Sequence, residues 1–173
     1  MSPRVLLLGR LVGAVLVGVL AVMPGSEALA QHDAPAEARV LVTEVATPIT
    51  PVVADHVEDG LARAVAEGHS AYVIELDTPG GLMDAMRDIV SDILASPIPV
   101  IVYVAPEGAR AGSAGAFITL AAHIAVMAPG TTIGAATPVS LEGQEIPDKV
   151  VNDAVAQAEA LARLRDRDVD FAQ

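Results

Sequence analysis

Three parts of this sequence hold residue types that could do chemistry together: Asp77-Thr78-Pro79-Gly80-Gly81, the stretch Ala111–Phe117 (AGSAGAF), and Lys149. Ser113 is the one hydroxyl in a run of small residues. It is either a packing spacer or a nucleophile held on a tight turn. A serine nucleophile needs a base to take its proton and donors for the oxyanion it creates. Two adjacent glycines let a backbone approach a ligand closely and aim N–H groups into a cleft, although a plain Pro-Gly turn reads the same way. Gly80-Gly81 and Ser113 each follow an apolar, strand-like run, and open α/β sheets place their sites at the carboxyl ends of strands. Ser113 at the head of a helix would also feel the positive end of its dipole.

The choice of base is narrow. Lys149 is the only lysine, beside nine arginines. Arginine does not deprotonate in proteins, whereas a buried lysine amine can. A Ser-Lys dyad in this chain therefore has only Lys149 to use, and a lone surface lysine is the competing reading. Burial among Ile146, Pro147, Val150 and Val151 would suit a base, since desolvation disfavours the charged amine. His32, His56, His69 and His123 read as a tail, a helix face, a helix exit and a strand start, and no signature pairs one with Ser113. Ala111 breaks the G-x-S-x-G elbow, and neither glycine-rich phosphate loop pattern is present. No metal-ligand spacing is found, so neither a metal nor a cofactor is expected.

Composition excludes further classes. The chain has 173 residues and a net charge of −12, which argues against nucleic acid as a partner. It has no cysteine, so disulfides and thiolate chemistry are ruled out. More than half of the residues are hydrophobic but only 2% are aromatic, so the core must be built from Val, Ile, Leu and Ala.

The elements that would position the site alternate. Ala38–Val45 reads as a strand, and Thr50-Pro51 starts a helix running to about residue 67. Ala71–Leu76 is a compact strand, and Leu82–Ala95 carries an apolar helical stripe. Strands follow within Pro97–Val104 and at His123–Met127, with a small-residue helix at Ser113–Ala121 between them. Ala105–Gly112 reads as a loop, Thr131–Gly143 as irregular and Pro147–Arg163 as a helix. Strands this apolar predict a parallel sheet covered on both faces.

At the N-terminus, Arg4 and Arg10, the apolar run Leu11–Met23 and Ala28-Leu29-Ala30 form an export signal over residues 1–30, followed by a polar tail over 31–37. The protein is thus expected on the periplasmic, extracytoplasmic side of the membrane. Retention of the run as an anchor is the alternative.

The segments DTPGG (77–81), ARAGSAGAFI (109–118) and MAPGTTIGAATPV (127–139) together resemble the N-terminal domain of NfeD-type membrane-bound serine proteases, related to signal peptide peptidase A and to Clp-type proteases. The resemblance spans about Ala38 to Arg165, within a domain over 38–173. It implies an α/β crotonase-like fold, with repeated βα units around a mostly parallel sheet. It further implies a Ser-Lys dyad of Ser113 and Lys149, with the N–H groups of Gly81 and Ala114 as the oxyanion hole. Gly80, Leu82 and Met83 would bind an extended peptide added as a strand. Implied partners are a peptide or protein substrate, such as a stomatin-like membrane protein, and a homo-oligomer is expected. Membrane attachment would come from elements absent from this sequence, which is expected to be truncated at its C-terminus and to end without a closing strand or cap. Two other functions compete: an inactive crotonase-like scaffold that binds a stomatin-like protein, and acyl-CoA chemistry. Export from the CoA-containing compartment and the shortage of cationic residues weigh against the latter.

Overall fold

A computed structural model describes residues 38–134, 136 and 147–170. The expected export signal, the polar tail and most of the irregular segment before the last helix lie outside the described residues. The element order is β1 (Val40–Val45), α1 (Pro51–Ala66), β2 (Ala71–Leu76), α2 (Met83–Ala95), β3 (Val100–Val104), β4 (Arg110–Gly112), α3 (Ala114–Ala121), β5 (Ile124–Met127), β6 (Thr132–Gly134) and α4 (Asp148–Leu164).

Four strands form a parallel sheet in the order β1-β2-β3-β5. Their registers place Leu41, Thr43 and Val45 on one face with Tyr72, Ile74 and Leu76, and with Val100, Val102 and Val104. All nine are buried, and α1, α2 and α3 pack over this side. The expectation of a sheet covered on both faces is corrected here. Val40 and Val42 are about half exposed, as are Ile124 and Val126 on β5. The cause is topological. Each strand is added on the same side of the last, so successive right-handed crossovers all fall on one face. Only a reversal of strand order would send helices to the other.

A second, smaller sheet pairs β4 with β6 in parallel, and Thr78 bridges to Ala111 beside it. These strands were read as loop and irregular chain because three residues are too few to show a period. Beyond β2, then, the chain leaves the main sheet to join β4, just where the glycines begin.

The segment after α4 caps two helices. Asp166 adopts φ 53, a left-handed position that aspartate tolerates at a helix end. Asp166 N–H donates to Arg163 O and Arg167 N–H to Ala162 O, the paired bonds of a Schellman cap on α4. The reversal carries Arg167 onto the carboxyl end of α3, where its guanidinium donates to the carbonyls of Thr119, Leu120 and Ala122. Arg165 Nε donates to Ala121 O at 2.8 Å. Terminal carbonyls have no acceptor role within their own helix, and cations suit that end of the dipole. Arg167→Ala should therefore cost about 2 kcal/mol, the scale of charged hydrogen bonds lost from buried carbonyls. A shifted denaturation midpoint at unchanged m-value would report it, with Arg167→Lys recovering only part because an ammonium cannot fork across several carbonyls. A midpoint matching that of the wild type would refute this role.

Candidate active site

The site grows from the end of β2. Asp77 Oδ1 accepts the Arg110 N–H at 3.0 Å, Thr78 N–H donates to Arg110 O at 2.7 Å, and Gly112 N–H returns to Thr78 O at 2.9 Å. These bonds lay β4 beside the DTPGG turn and fix the approach to Ser113. The Thr78 side chain is fully buried, and its Oγ1 lies 3.1 Å from both the N–H and the carbonyl of Gly80. A threonine that the sequence reading passed over thus holds the turn.

Gly81 is bridged to Ile49. Ile49 N–H donates to Gly80 O at 2.8 Å, and Leu82 N–H donates to Ile49 O at 2.9 Å. In a parallel bridge the two flanking residues make these bonds, so the N–H of the middle residue points the opposite way. Gly81 N–H therefore faces away from Ile49, with no backbone acceptor among the described residues. Gly80 sits at φ +118, and a Cβ built on it would lie 2.6 Å from Ser113 Cβ and 3.2 Å from Ser113 Oγ. The turn and the serine are in contact, and glycine is what allows it.

Ser113 occupies φ 48, ψ −112, a strained position for any residue with a side chain. Its N–H donates to Gly134 O at 3.1 Å, which pins the residue to β6. Although it precedes α3, its hydroxyl makes no capping bond, and Oγ has no hydrogen-bond partner among the described residues. Ala114 begins α3, where first-turn N–H groups have no acceptor within the helix. The strained serine, Gly81 and the first residue of α3 lie on one cavity.

They meet at the edge of a cavity of about 530 Å³, lined by Gly80, Gly81, Leu82, Met83, Ser113 and Ala114. Its apolar wall includes Ile49, Met86, Phe117 and Ala154, and Gln157 adds an amide. Six of the seven site residues anticipated from sequence are thus brought together. Ile49 and Gln157 were missed. Ile49 lay next to residues read only as a helix start, and Gln157 on a helix whose docking the sequence did not reveal.

Lys149 is the seventh, and it does not line this cavity. It is exposed in the first turn of α4, five residues or about 7.5 Å along the axis before Ala154. The expected desolvation is corrected: Pro147 is exposed, and Val150 and Val151 are half-buried. Ile146 lies outside the described residues. Asp153, one turn after Lys149, pairs with Arg87 of α2 at 2.6 Å. His56, His69 and His123 line neither this cavity nor the smaller one beside it. His123 Nδ1 instead accepts the Val100 N–H at 3.2 Å, and burial, with Arg165 nearby, lowers its pKa and favours the neutral ring.

Comparison with known proteins matches residues 39–173 to the family model described as NfeD1b, N-terminal domain. The chain is 42% identical over 139 residues to the membrane-bound protease PH1510 of Pyrococcus horikoshii, covering 78% of this chain and 32% of that relative. It thus spans about a third of the relative's length. Among solved structures it is similar to a serine-to-alanine mutant of the 1510-N membrane-bound stomatin-specific protease, at 41% identity and a TM-score of 0.75, covering 79% of this chain and 69% of that one. A lysine-to-alanine mutant of 1510-N in complex with a substrate peptide matches at 41% identity and a TM-score of 0.73, covering 77% and 63%. A ClpP1 mutant from Listeria monocytogenes, at 20% identity and a TM-score of 0.59 over 76% of each chain, shares the fold. With its one-directional parallel sheet and the turn that sets Gly80 against Ser113, this chain belongs to the NfeD1b N-terminal domain family and has the Clp-protease-like fold.

Proposed function

We propose that this chain is the catalytic domain of a serine endopeptidase that cuts apolar segments of membrane-associated, stomatin-like proteins. The observation that carries this reading is the strained Ser113, whose Oγ has no hydrogen-bond partner among the described residues and which lines an apolar cavity together with Gly80 and Gly81. Oγ attacks the peptide carbonyl as the Lys149 amine takes its proton. The N–H groups of Gly81 and Ala114 stabilise the oxyanion. The lysine then returns the proton to the leaving amine, and water hydrolyses the acyl-enzyme by the same route. Leu82 and Met83 flank the apolar segment of the substrate. Docking of that segment would bring α4 and its lysine under cover. Export to the extracytoplasmic face, a homo-oligomeric state and membrane attachment through further elements complete the proposal.

One observation favours a second reading. Lys149 is exposed and outside the cavity, as it would be in a scaffold that binds a stomatin-like protein without turning it over. Incubating the chain with apolar peptides separates the two. The enzyme reading expects cleavage that Ser113→Ala abolishes. Binding without any Ser113-dependent product would establish the scaffold.

A further inference from the structure

A second cavity, of about 270 Å³, adjoins the first at Pro79 and Ser113. It is lined by β4 and β6, through Arg110, Ala111, Gly112, Thr132, Ile133 and Gly134. Its chemistry differs from that of its neighbour. The larger cavity is walled by Leu82, Met83, Met86 and Phe117, with no charged residue, whereas Arg110 is the one charged residue lining either of them among the described residues.

Arg110 is placed there by β4. Along a strand, residues two apart share a face, so Arg110 and Gly112 face the exposed side while Ala111 is buried against the core. At about 3.3 Å per residue the Arg110 Cα stands roughly 10 Å from that of Ser113. A long side chain from that point reaches a substrate residue close to the scissile bond. The guanidinium has no hydrogen bond or ion pair among the described residues. The neighbouring carboxylate of Asp77 is engaged by the Arg110 backbone N–H instead. In a chain of net charge −12, whose long-range field repels acidic peptides, this cation offers a local exception.

We propose that Arg110 determines specificity, by selecting substrates that carry an acidic side chain within a few residues of the bond cut at Ser113. This rests on the protease reading of the same site. A carboxylate in the smaller cavity meets a planar, five-donor guanidinium, while an apolar residue fills the larger one. The preferred substrate is therefore an apolar segment interrupted by Asp or Glu, as found where a membrane-associated segment emerges into water.

The test uses short apolar peptides identical except for one Glu, Gln or Lys moved along the sequence. Cleavage is measured with the unmodified chain, and binding with Ser113→Ala by fluorescence anisotropy. At one position, Glu should be preferred over Lys by about tenfold or more in both kcat/KM and Kd, the size of one charge-assisted contact. Arg110→Gln should erase that preference, Arg110→Glu invert it and Arg110→Lys retain part of it. Ser113-dependent cleavage indifferent to charge would overturn the inference and leave the protease reading standing. Charge-selective, Arg110-dependent binding with no cleavage would support the acidic subsite and sink the protease reading. Failure of every peptide to bind would overturn the inference.

Discussion

Gly81→Val is expected to lower kcat by at least the roughly 10²–10³ that follows loss of one oxyanion donor, and to lower stability as well. The oxyanion argument alone would leave the fold untouched. The structure adds a collision: a Cβ on Gly81 would fall on the backbone of Ile49, 2.5 Å from its nitrogen and 2.7 Å from its carbonyl carbon. Ile49 is buried and cannot yield as the tip of a flexible side chain would. The bridge that turns Gly81 N–H away from Ile49 must therefore open, and the donor turns with it. Overpacking of this kind typically costs about 1–3 kcal/mol. Gly80→Ala makes a useful comparison, because its Cβ would press on Ser113 itself rather than on Ile49. Both variants should lose cleavage, with the direct collision with the Ile49 backbone specific to Gly81→Val. A folded Gly81→Val with wild-type activity and an unchanged denaturation midpoint would remove Gly81 from the mechanism.

What the sequence disclosed follows from how many residues each signal used. The six-residue strand Ala71–Leu76, apolar except for Glu75, and the long stripe of Met83–Ala95 were readable to within a residue because each signal runs the length of its element. The three-residue strands Arg110–Gly112 and Thr132–Gly134 were not, and they are the ones that hold Ser113. Coverage of the sheet was misread because apolar strands indicate burial, whereas the face that is buried depends on the order in which strands are laid down. Arg165 and Arg167 lay beyond the helix read over Pro147–Arg163, in a stretch with no period. Only the chain reversal at Asp166 brings them to the carbonyls of α3. At the site, Gly80, Gly81 and Ser113 were legible because their constraints are local: a close approach and a strained turn leave glycine and small residues in the sequence. The environment of Lys149 was not, since desolvation depends on neighbours contributed from elsewhere in the fold.

Lys149→Arg should be as inactive as Lys149→Ala, and this outcome bears most directly on the proposed dyad. General-base catalysis contributes on the order of 10²–10⁴ in rate, so either substitution should remove activity on that scale. The exposure of Lys149 makes the comparison clean. Surface substitutions away from packing contacts usually change stability by less than about 0.5 kcal/mol, so lost activity would not reflect lost fold. If the lysine served only as a positive charge near the cleft mouth, arginine would preserve that charge and much of the reach, and activity would survive. If it takes the proton from Ser113, arginine fails, because its guanidinium stays protonated. Substantial Ser113-dependent cleavage by Lys149→Arg would show that the dyad is wrong. Since His56, His69 and His123 line neither cavity, the proton acceptor would then have to be sought outside the described residues or in the substrate itself.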